Sequence, residues 1–234
     1  MKVSETTKKI LKNFADISPD FIGQKGNKQQ AKSKGSSFVA YATIEEDFPV
    51  EFGIQKFDKI VKCMERIPDA EFNISKDSLR VENTLSSATF GTVSAETLGK
   101  IAKTIDVEYL DLKISISQKL IKDLHDYARL MKINSDSKPK TKLGIKFKEY
   151  DSLAIEANGS DLFLQVQEQR NYANQTFRVN VGKSSERFKI HLSLDEWKFV
   201  EDDYVLELCI EKKVARFTSS KYPVAYYQSL DVLE

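Results

Sequence analysis

The sequence is poor in the residues that most often carry chemistry. Its 234 residues include only two cysteines, two histidines and one tryptophan. Cys63 and Cys209 lie far apart between apolar neighbours, a setting typical of buried free thiols rather than of a disulfide. No cluster of His, Cys, Asp and Glu has the spacing of metal ligands. We therefore expect no metal site and no cofactor.

Motifs of the common enzyme classes are also missing. The sequence lacks G-x-x-x-x-G-K-[ST], G-x-G-x-x-G, H-E-x-x-H and G-x-S-x-G, which excludes the usual nucleotide-binding, metalloprotease and serine-hydrolase signatures. The acidic runs at 45–47 and 202–203 lie in predicted turns without a histidine nearby. Such runs are typical of solvated turns, so we expect no catalytic residue and no enzymatic activity.

Long apolar runs and an excess of one charge are absent as well. No stretch approaches the roughly 20 apolar residues that span a bilayer, and the first residues lack the apolar core of a signal peptide. We therefore expect a cytoplasmic protein that contacts no membrane. The chain has 36 basic and 35 acidic residues, a net charge of +1. This near-neutral total does not exclude nucleic acid, because the two signs can be segregated in space.

Most of the chain reads as short strands rich in Val, Ile, Phe, Tyr and Thr. Its length suits two domains, which we place at residues 1–105 and 106–234. A connector over residues 93–107 would join them. The predicted strands are 37–44, 50–54, 70–74, 87–93, 108–116, 143–147, 153–157, 161–167, 176–181, 187–192, 204–211, 215–218 and 222–230. Residues 25–35 are predicted to form a basic, mobile hairpin, and residues 135–140 a polar loop.

Four segments have the apolar spacing of helices. They cover residues 4–17, 58–67, 117–132 and 193–200. Ser4 is the predicted N-cap of the first, and Ser193 to Glu196 reads as a capping box for the last. Each half of the chain thus runs helix, strands, short helix, strands. The pattern I-x-K-x-x-x-R follows the short helix in both halves, at 74–80 and 210–216, which favours an internal duplication over chance.

Lysine and arginine recur on the helix faces opposite the apolar residues. A stripe of this kind is usually a solvated face, and acidic residues share the same helices. Three such helices nevertheless make a surface for phosphates an equal alternative, one that would not read base edges. The candidate DNA-facing residues are Lys8, Lys12, Lys59, Lys62, Arg66, Lys119, Lys122 and Arg129.

Several stretches resemble the sliding clamps of T-even-type phages and, more distantly, proliferating cell nuclear antigen. They are the opening residues 1–15, the strand, turn and helix of residues 44–60, the segment from 192 to 208, and the closing strand 222–230 with its Tyr226-Tyr227 pair. The resemblance keeps its order over nearly the whole chain. It weakens over residues 25–36, which are unusually basic, and over 134–141, which resemble an insertion.

The resemblance implies the α+β DNA clamp fold, with two similar domains that each pack two inner helices on β-sheets. It implies a head-to-tail homotrimer whose helices line a hole around double-stranded DNA. It also implies that the ring tethers the replicative polymerase, confers processivity and is loaded by an ATP-dependent clamp loader. If a phage encodes the chain, the compartment is the bacterial host cytoplasm.

The resemblance implies two further surfaces. A C-terminal peptide of the polymerase would dock in an apolar pocket between the connector and the last strand, at Leu98, Ile101, Ile105, Tyr226, Tyr227 and Leu230. From the residues alone, these could equally close the core of their own domain. The subunits would join through Phe90, Val93, Phe177 and Val179, on strands 87–93 and 176–181.

Two other classes of protein stay open at this point. A duplicated β-rich virion or tail protein would carry the same strands, and its lysine stripes would only be solvated. The other class is an enzyme with a β-rich fold and a site too diffuse to recognise, which a test for intrinsic nuclease or nucleotide-hydrolysis activity addresses. The mass of the particle in solution separates the first of these from a ring.

Overall fold

A computed structural model describes residues 1–99, 101–102, 105, 107–109, 112–133, 152–167 and 176–232. The helices are α1 (Glu5–Ile17), α2 (Phe57–Arg66), α3 (Ala95–Leu98) and α4 (Gln118–Ile133), with a 3-10 helix at Leu194–Glu196. The first strands are β1 (Phe21–Gly23), β2 (Gly26–Lys32), β3 (Phe38–Phe48), β4 (Phe52–Ile54), β5 (Glu71–Ile74), β6 (Ser78–Glu82), β7 (Ser87–Gly91) and β8 (Lys113–Ile116). The remaining strands are β9 (Ser152–Asn158), β10 (Asp161–Gln167), β11 (Thr176–Lys183), β12 (Arg187–Ser193), β13 (Tyr204–Cys209), β14 (Val214–Ser219), β15 (Val224–Ser229) and β16 (Asp231–Val232).

These elements form two compact units. The first unit takes the described residues of 1–106, 198–202 and 216–228, and the second those of 107–197, 203–215 and 229–234. The chain therefore returns to the first unit twice after leaving it. A division near residue 105 into two duplicated domains stays a prediction.

The first unit combines helices with antiparallel strands. β5, β6 and β7 are neighbours in that order, β1 pairs with β4, and β3 lies between β2 and β15. Its core is aromatic: Phe21 stacks on Phe57 with ring centroids 4.4 Å apart, and Phe14 packs at 6.1 Å from Phe21. Burial of several such rings, at about 25 cal/mol per Å² of apolar surface, is the main source of stability here.

The second unit contains the longest helix. Its strands follow the order β11, β10, β9, β12, β16, and β13 pairs with β8. Leu124 and Ala128 of α4 are buried, together with Leu153, Ile155 and Leu164 of the strands. The amide of Gln118 donates to the Asp203 carboxylate at 2.8 Å, which satisfies one of the free N–H groups at the start of α4.

Helix α1 is tied to the first unit by a buried hydrogen-bond chain. The Tyr226 hydroxyl donates to Asn13 Oδ1 at 2.8 Å and accepts from the Val200 amide at 3.0 Å. Asn13 Nδ2 in turn donates to the Lys198 carbonyl at 2.7 Å. Tyr226 is fully buried, so each of these groups would be unsatisfied without the others.

Tyr226→Phe is expected to lower the free energy of unfolding by about 2 kcal/mol, because it leaves the Val200 amide and the Asn13 oxygen without a partner. Urea denaturation measures this change. Tyr227→Phe is the matched control, since Tyr227 is only half-buried, and its effect should stay within about 0.5 kcal/mol. Equal losses in the two variants would contradict the importance of the buried chain.

Periodicity located the three long helices correctly. α1, α2 and α4 match the predicted segments within two residues, and the Ser4 side chain caps α1 by accepting from the Thr7 amide at 3.2 Å. The predicted fourth helix is wrong beyond Glu196, because only the 3-10 turn forms. The hairpin predicted at 25–35 is longer than expected: residues 26–32 form its first strand, β2, which pairs with β3. The strand predicted from 108 begins at Lys113. Strand β6 was not predicted, whereas the segments 143–147 and 135–140 lie outside the described residues.

Both copies of the I-x-K-x-x-x-R pattern lie at turns between strands. The first runs from the end of β5 into β6, and the second from the end of β13 into β14. In the second, the Lys213 amide closes the turn on the Ile210 carbonyl at 3.1 Å. The two copies therefore occupy equivalent positions in the order of elements, after α2 and after the 3-10 helix.

Candidate functional site

The cations of α1 lie opposite its buried face. Ile10, Leu11 and Phe14 are fully buried, which leaves Lys8 and Lys12 on the other side of the helix. Lys8 pairs with Glu5 at 2.7 Å, and Lys12 reaches across to Glu65 of α2 at 2.6 Å. The hydrogen bond to Glu65 raises the pKa of Lys12, and the bond from Lys8 lowers the pKa of Glu5.

Helix α2 presents three cations in the same way. Lys62 pairs with Asp58 at 2.9 Å, and this hydrogen bond lowers the pKa of the Asp58 carboxyl. Lys59 and Arg66 are exposed and make no ion pair within the described residues. Because surface pairs contribute only about 0–1 kcal/mol, both kinds of cation remain available to an anion.

Helix α4 follows the pattern in the second unit. Lys119 and Lys122 are exposed and, within the described part of the chain, have no ion pair. Arg129 pairs with Asp126 at 3.4 Å. His125, on the same helix, is half-buried, and this burial, with a smaller contribution from Arg129, lowers the pKa of its imidazole. His125 is therefore neutral near pH 7, and the positive charge of α4 comes from its lysines and arginine.

The three long helices hold more positive charge than the chain as a whole. Their sequences contain ten lysines and arginines against six aspartates and glutamates, a net charge of +4. The whole chain has a net charge of +1, so the remaining residues carry a net −3. The two signs are thus segregated between helices and the rest, which the overall composition hides.

Strands β7 and β11, which carry most of the predicted subunit interface, are both terminal in their sheets. The opposite edge of each sheet is covered: the Phe72 amide of β5 bonds to the Met1 carbonyl, and β16 pairs with β12. Exposed sheet edges offer unpaired N–H and C=O groups to another chain. Among the described residues, each unit thus contributes one of these two open strands.

Phe90, Phe177 and Val179 lie on these open strands and are half-buried. Val93 does not: it follows β7 and exchanges two backbone hydrogen bonds with Gly53, at 2.8 and 2.9 Å. Its backbone is therefore engaged within its own chain, which leaves only its half-buried side chain for a partner.

Two large apolar side chains of α4 were missed by the sequence reasoning. Tyr127 and Leu130 are 41% and 58% exposed. The Tyr127 ring stacks on Phe177 of β11 at 3.7 Å. Periodicity assigned the apolar face of α4 to other residues, and only the stacking distance shows that Tyr127 lies against β11.

The predicted peptide pocket separates into core and surface residues. Tyr226 and Leu230 are buried, at 0% and 3% exposure, and therefore offer no surface to a peptide. Leu98 is half-buried and lies over Gly53, where an added Cβ would approach its Cδ1 to 2.9 Å. Ile105 is half-buried and Ile101 is 36% exposed.

Tyr227 alternates with Tyr226 along β15 and faces the opposite side of the sheet. Its ring lies perpendicular to that of Tyr41 in β3, with centroids 5.3 Å apart. Burial, and to a smaller extent Tyr227, raises the pKa of Tyr41. The half-buried pair forms an aromatic surface on the first unit, and Tyr41 is a member that sequence reasoning missed.

The described residues contain no group of three or more His, Cys, Asp or Glu side chains placed to hold a metal ion. Nor is any described helix long and apolar enough to cross a membrane. The described residues thus present cationic helix faces in each unit, the open strands β7 and β11, and the aromatic patch of Tyr41 and Tyr227.

Known proteins share this architecture. No family model matches the chain. It is 21% identical over 211 residues to the sliding clamp of Vibrio phage KVP40, covering 89% of this chain and 90% of that protein. The solved structure of Archaeoglobus fulgidus PCNA bound to the C-terminal region of FEN-1 matches with a TM-score of 0.68 at 11% identity, covering 100% of this chain and 98% of that one. The DNA polymerase III subunit beta of Pseudomonas aeruginosa matches with a TM-score of 0.65 at 14% identity, covering 98% of this chain and 63% of that one. The predicted α+β clamp fold is confirmed.

Proposed function

We propose that this chain, whose fold is that of the DNA sliding clamps, is itself a sliding clamp that tethers a replicative DNA polymerase to double-stranded DNA and makes its synthesis processive. The observation that carries the proposal is the segregation of charge onto helices in a chain of this fold. Ten basic residues against six acidic ones on three helices suit a phosphate backbone, whose contacts carry no sequence information.

The proposed assembly is a closed homotrimer. The open edge of β7 in each copy would pair with the open edge of β11 in the next copy, which is a head-to-tail contact that closes into a ring. Phe90 would contribute on one side and Phe177 with Val179 on the other. The exposed Tyr127, stacked on Phe177, adds apolar surface beside β11, as a subunit contact requires.

The proposed contact with DNA is weak and independent of sequence. Lys8, Lys12, Lys62 and Arg129 are already paired with carboxylates, so a phosphate would replace or share an existing partner. Lys59, Arg66, Lys119 and Lys122 would meet phosphates directly. Both contacts are screened by salt.

The remaining roles follow from the same proposal. An ATP-dependent clamp loader would open and close the ring, and a C-terminal peptide of the polymerase would dock on it. The clamp would act in the cytoplasm, of the bacterial host for a phage protein, without a catalytic activity, cofactor or membrane of its own. Binding without chemistry is all that a topological tether needs.

The decisive experiment compares two DNA templates. The chain is loaded with its clamp loader and ATP onto a nicked circular plasmid, and half of the sample is then linearised with a restriction enzyme. A sliding ring stays on the circle through gel filtration and leaves the linear DNA through its ends. Equal retention on both templates would indicate ordinary DNA binding and would overturn the proposal.

The proposed docking of the polymerase peptide gives a prediction for the exposed and half-buried residues of the predicted pocket. A variant with Leu98→Ala, Ile101→Ala and Tyr227→Ala is expected to bind the polymerase C-terminal peptide at least about tenfold more weakly, since aromatic anchors dominate such sites. Fluorescence anisotropy measures the affinity, which should be micromolar for a short isolated peptide because tethering supplies the rest. Leu85→Ala is the control, as Leu85 is 92% exposed and lies outside the patch. Unchanged binding by the triple variant would place the pocket elsewhere.

A further inference from the structure

Strand β2 and its flanks form a basic segment that the proposed function leaves without a role. Residues 21–44 contain four lysines and no aspartate or glutamate. Lys25, Lys28 and Lys34 are exposed and, in the described structure, make no ion pair. In a chain with a net charge of only +1, such a run attracts an anionic partner.

Strand β2 is also an open edge. It pairs with β3 through antiparallel contacts from Gly26 to Lys32 and is the last strand in its sheet order. Its outer side therefore offers backbone N–H and C=O groups in extended geometry. A peptide strand can add to such an edge by hydrogen bonding.

The side chains of β2 alternate between two faces. Ala31 lies opposite Ala40, which pairs with Tyr226, the residue whose hydroxyl reaches Asn13 of α1. This face therefore covers the helix. Gln30 lies opposite Tyr41 and belongs to the other face, which also presents Tyr227.

Gln30 lies on that face and has one side-chain acceptor that is unpaired within the described residues. Gln30 is 7% exposed, and its Oε1 is buried with no hydrogen-bond partner among the described residues. The neighbouring Gln29 shows the contrast: its side-chain oxygen accepts from the Gln24 backbone amide at 2.8 Å, and its side-chain nitrogen donates to the Gln24 and Gly26 carbonyls, both at 2.8 Å. A buried acceptor left unpaired costs stability, and turning the Gln30 side chain outward to a partner that brings an N–H or O–H donor would remove that cost.

The unpaired oxygen of Gln30 is a hydrogen-bond acceptor, so a partner that contacts it must bring a donor. A phosphate backbone has acceptors only, so it suits the lysines but not Gln30 Oε1. A peptide supplies N–H donors for the edge and for Gln30, and acidic side chains supply partners for the lysines. Gln30 also faces away from α1, the helix that carries Lys8 and Lys12 in this unit.

We propose that β2 and its outward face bind an acidic peptide segment of a replication partner, which adds to the β2 edge, donates a hydrogen bond to Gln30 Oε1 and pairs its carboxylates with Lys25, Lys28 and Lys34. This rests on the proposed clamp function, because that function supplies the partner. It assigns the basic segment to protein recognition rather than to DNA.

The test uses overlapping synthetic peptides that tile the replicative polymerase of the same genome, each titrated against the full chain. The tightest-binding peptide is expected to contain Asp or Glu. Its affinity should fall about tenfold in the variant Lys25→Glu, Lys28→Glu, Lys34→Glu, since the three attractive charges become repulsive. The control reverses Lys76, Lys212 and Lys213, which are exposed and lie outside residues 21–44, and should bind as wild type does.

Gln30→Leu provides an independent readout of opposite sign. It removes the unpaired acceptor, so the melting temperature of the free protein should rise by about 2–4 °C, while peptide affinity should fall about tenfold. Gln29→Leu removes satisfied hydrogen bonds and should lower the melting temperature. A purely structural Gln30 would lower both stability and binding on substitution, or change neither.

The outcomes separate the two proposals. The inference is overturned if the variant Lys25→Glu, Lys28→Glu, Lys34→Glu binds the peptide as wild type does. This holds also when that variant loses affinity for duplex DNA, because the lysines would then serve DNA and not the peptide. Failure of every tiled peptide to bind wild type also overturns it. The retention of wild type on circular DNA is measured separately, so the clamp function can stand when the role of β2 fails.

Discussion

Phe90→Asp and Val179→Asp are each expected to dissociate the proposed ring. Both side chains are half-buried within their own units, and their remaining surface lies on an open edge that a second copy would cover. A carboxylate buried there without a partner costs about 3–5 kcal/mol, which weakens association by about two to four orders of magnitude. Light scattering on a dilution series should show the mass falling from near three times 26.7 kDa to a single copy.

Mixing the two variants tests the head-to-tail geometry itself. Each variant keeps one intact edge, so an equimolar mixture should contain heterodimers and no closed ring. In a symmetric contact of β7 with β7, Val179→Asp would assemble as wild type does, and that result would contradict the proposal. Circular dichroism and the melting temperature show whether each variant remains folded.

The second large effect is expected on DNA. Reversing Lys59, Arg66, Lys119 and Lys122 to glutamate lowers the summed net charge of the three long helices by eight per copy. That charge changes from +4 to −4. Processive synthesis at physiological salt should fall by at least about tenfold, because attraction to the phosphates becomes repulsion. The measurement is the length of product made in one binding event by the polymerase with its loader.

A matched variant separates the position of these charges from their number. Lys76, Lys212, Lys213 and Lys221 are exposed and lie outside the three long helices, and their reversal changes the net charge equally. This control should support nearly normal synthesis. Wild-type processivity in the helix variant, with the ring intact, would show that these residues do not face DNA.

The sequence predicted those parts of the fold that follow from apolar periodicity. Helices α1, α2 and α4 were located because their buried residues recur at helical spacing. Strand β2 was missed because Gly26 to Lys32 is almost entirely polar, and its Gln29 and Gln30 are buried by tertiary contacts that composition does not reveal. The fourth helix ended early because buried Trp197 and the Val200 amide are held by tertiary contacts, the latter by Tyr226.

The candidate site, too, could be predicted from the sequence only in part. The cationic faces follow from the apolar faces, and the predicted interface strands lie at open edges. The pair Tyr226 and Tyr227 could have been separated by strand alternation, since adjacent residues face opposite sides. Tyr41, Gln30, Tyr127 and Leu130 required the pairing of distant segments, which no local pattern encodes.

The carboxylates beside the helix cations have a consequence for movement along the duplex. Lys8, Lys12, Lys62 and Arg129 each already hold a carboxylate at 2.6–3.4 Å, so exchanging it for a phosphate changes the energy little. The binding energy of the proposed ring would then differ by no more than about thermal energy between successive positions along the DNA duplex. Such a ring would diffuse along the duplex with little resistance. In the proposed ring, a lining of unpaired lysines would bind phosphates more tightly and diffuse more slowly, so the acidic residues would speed diffusion along the duplex.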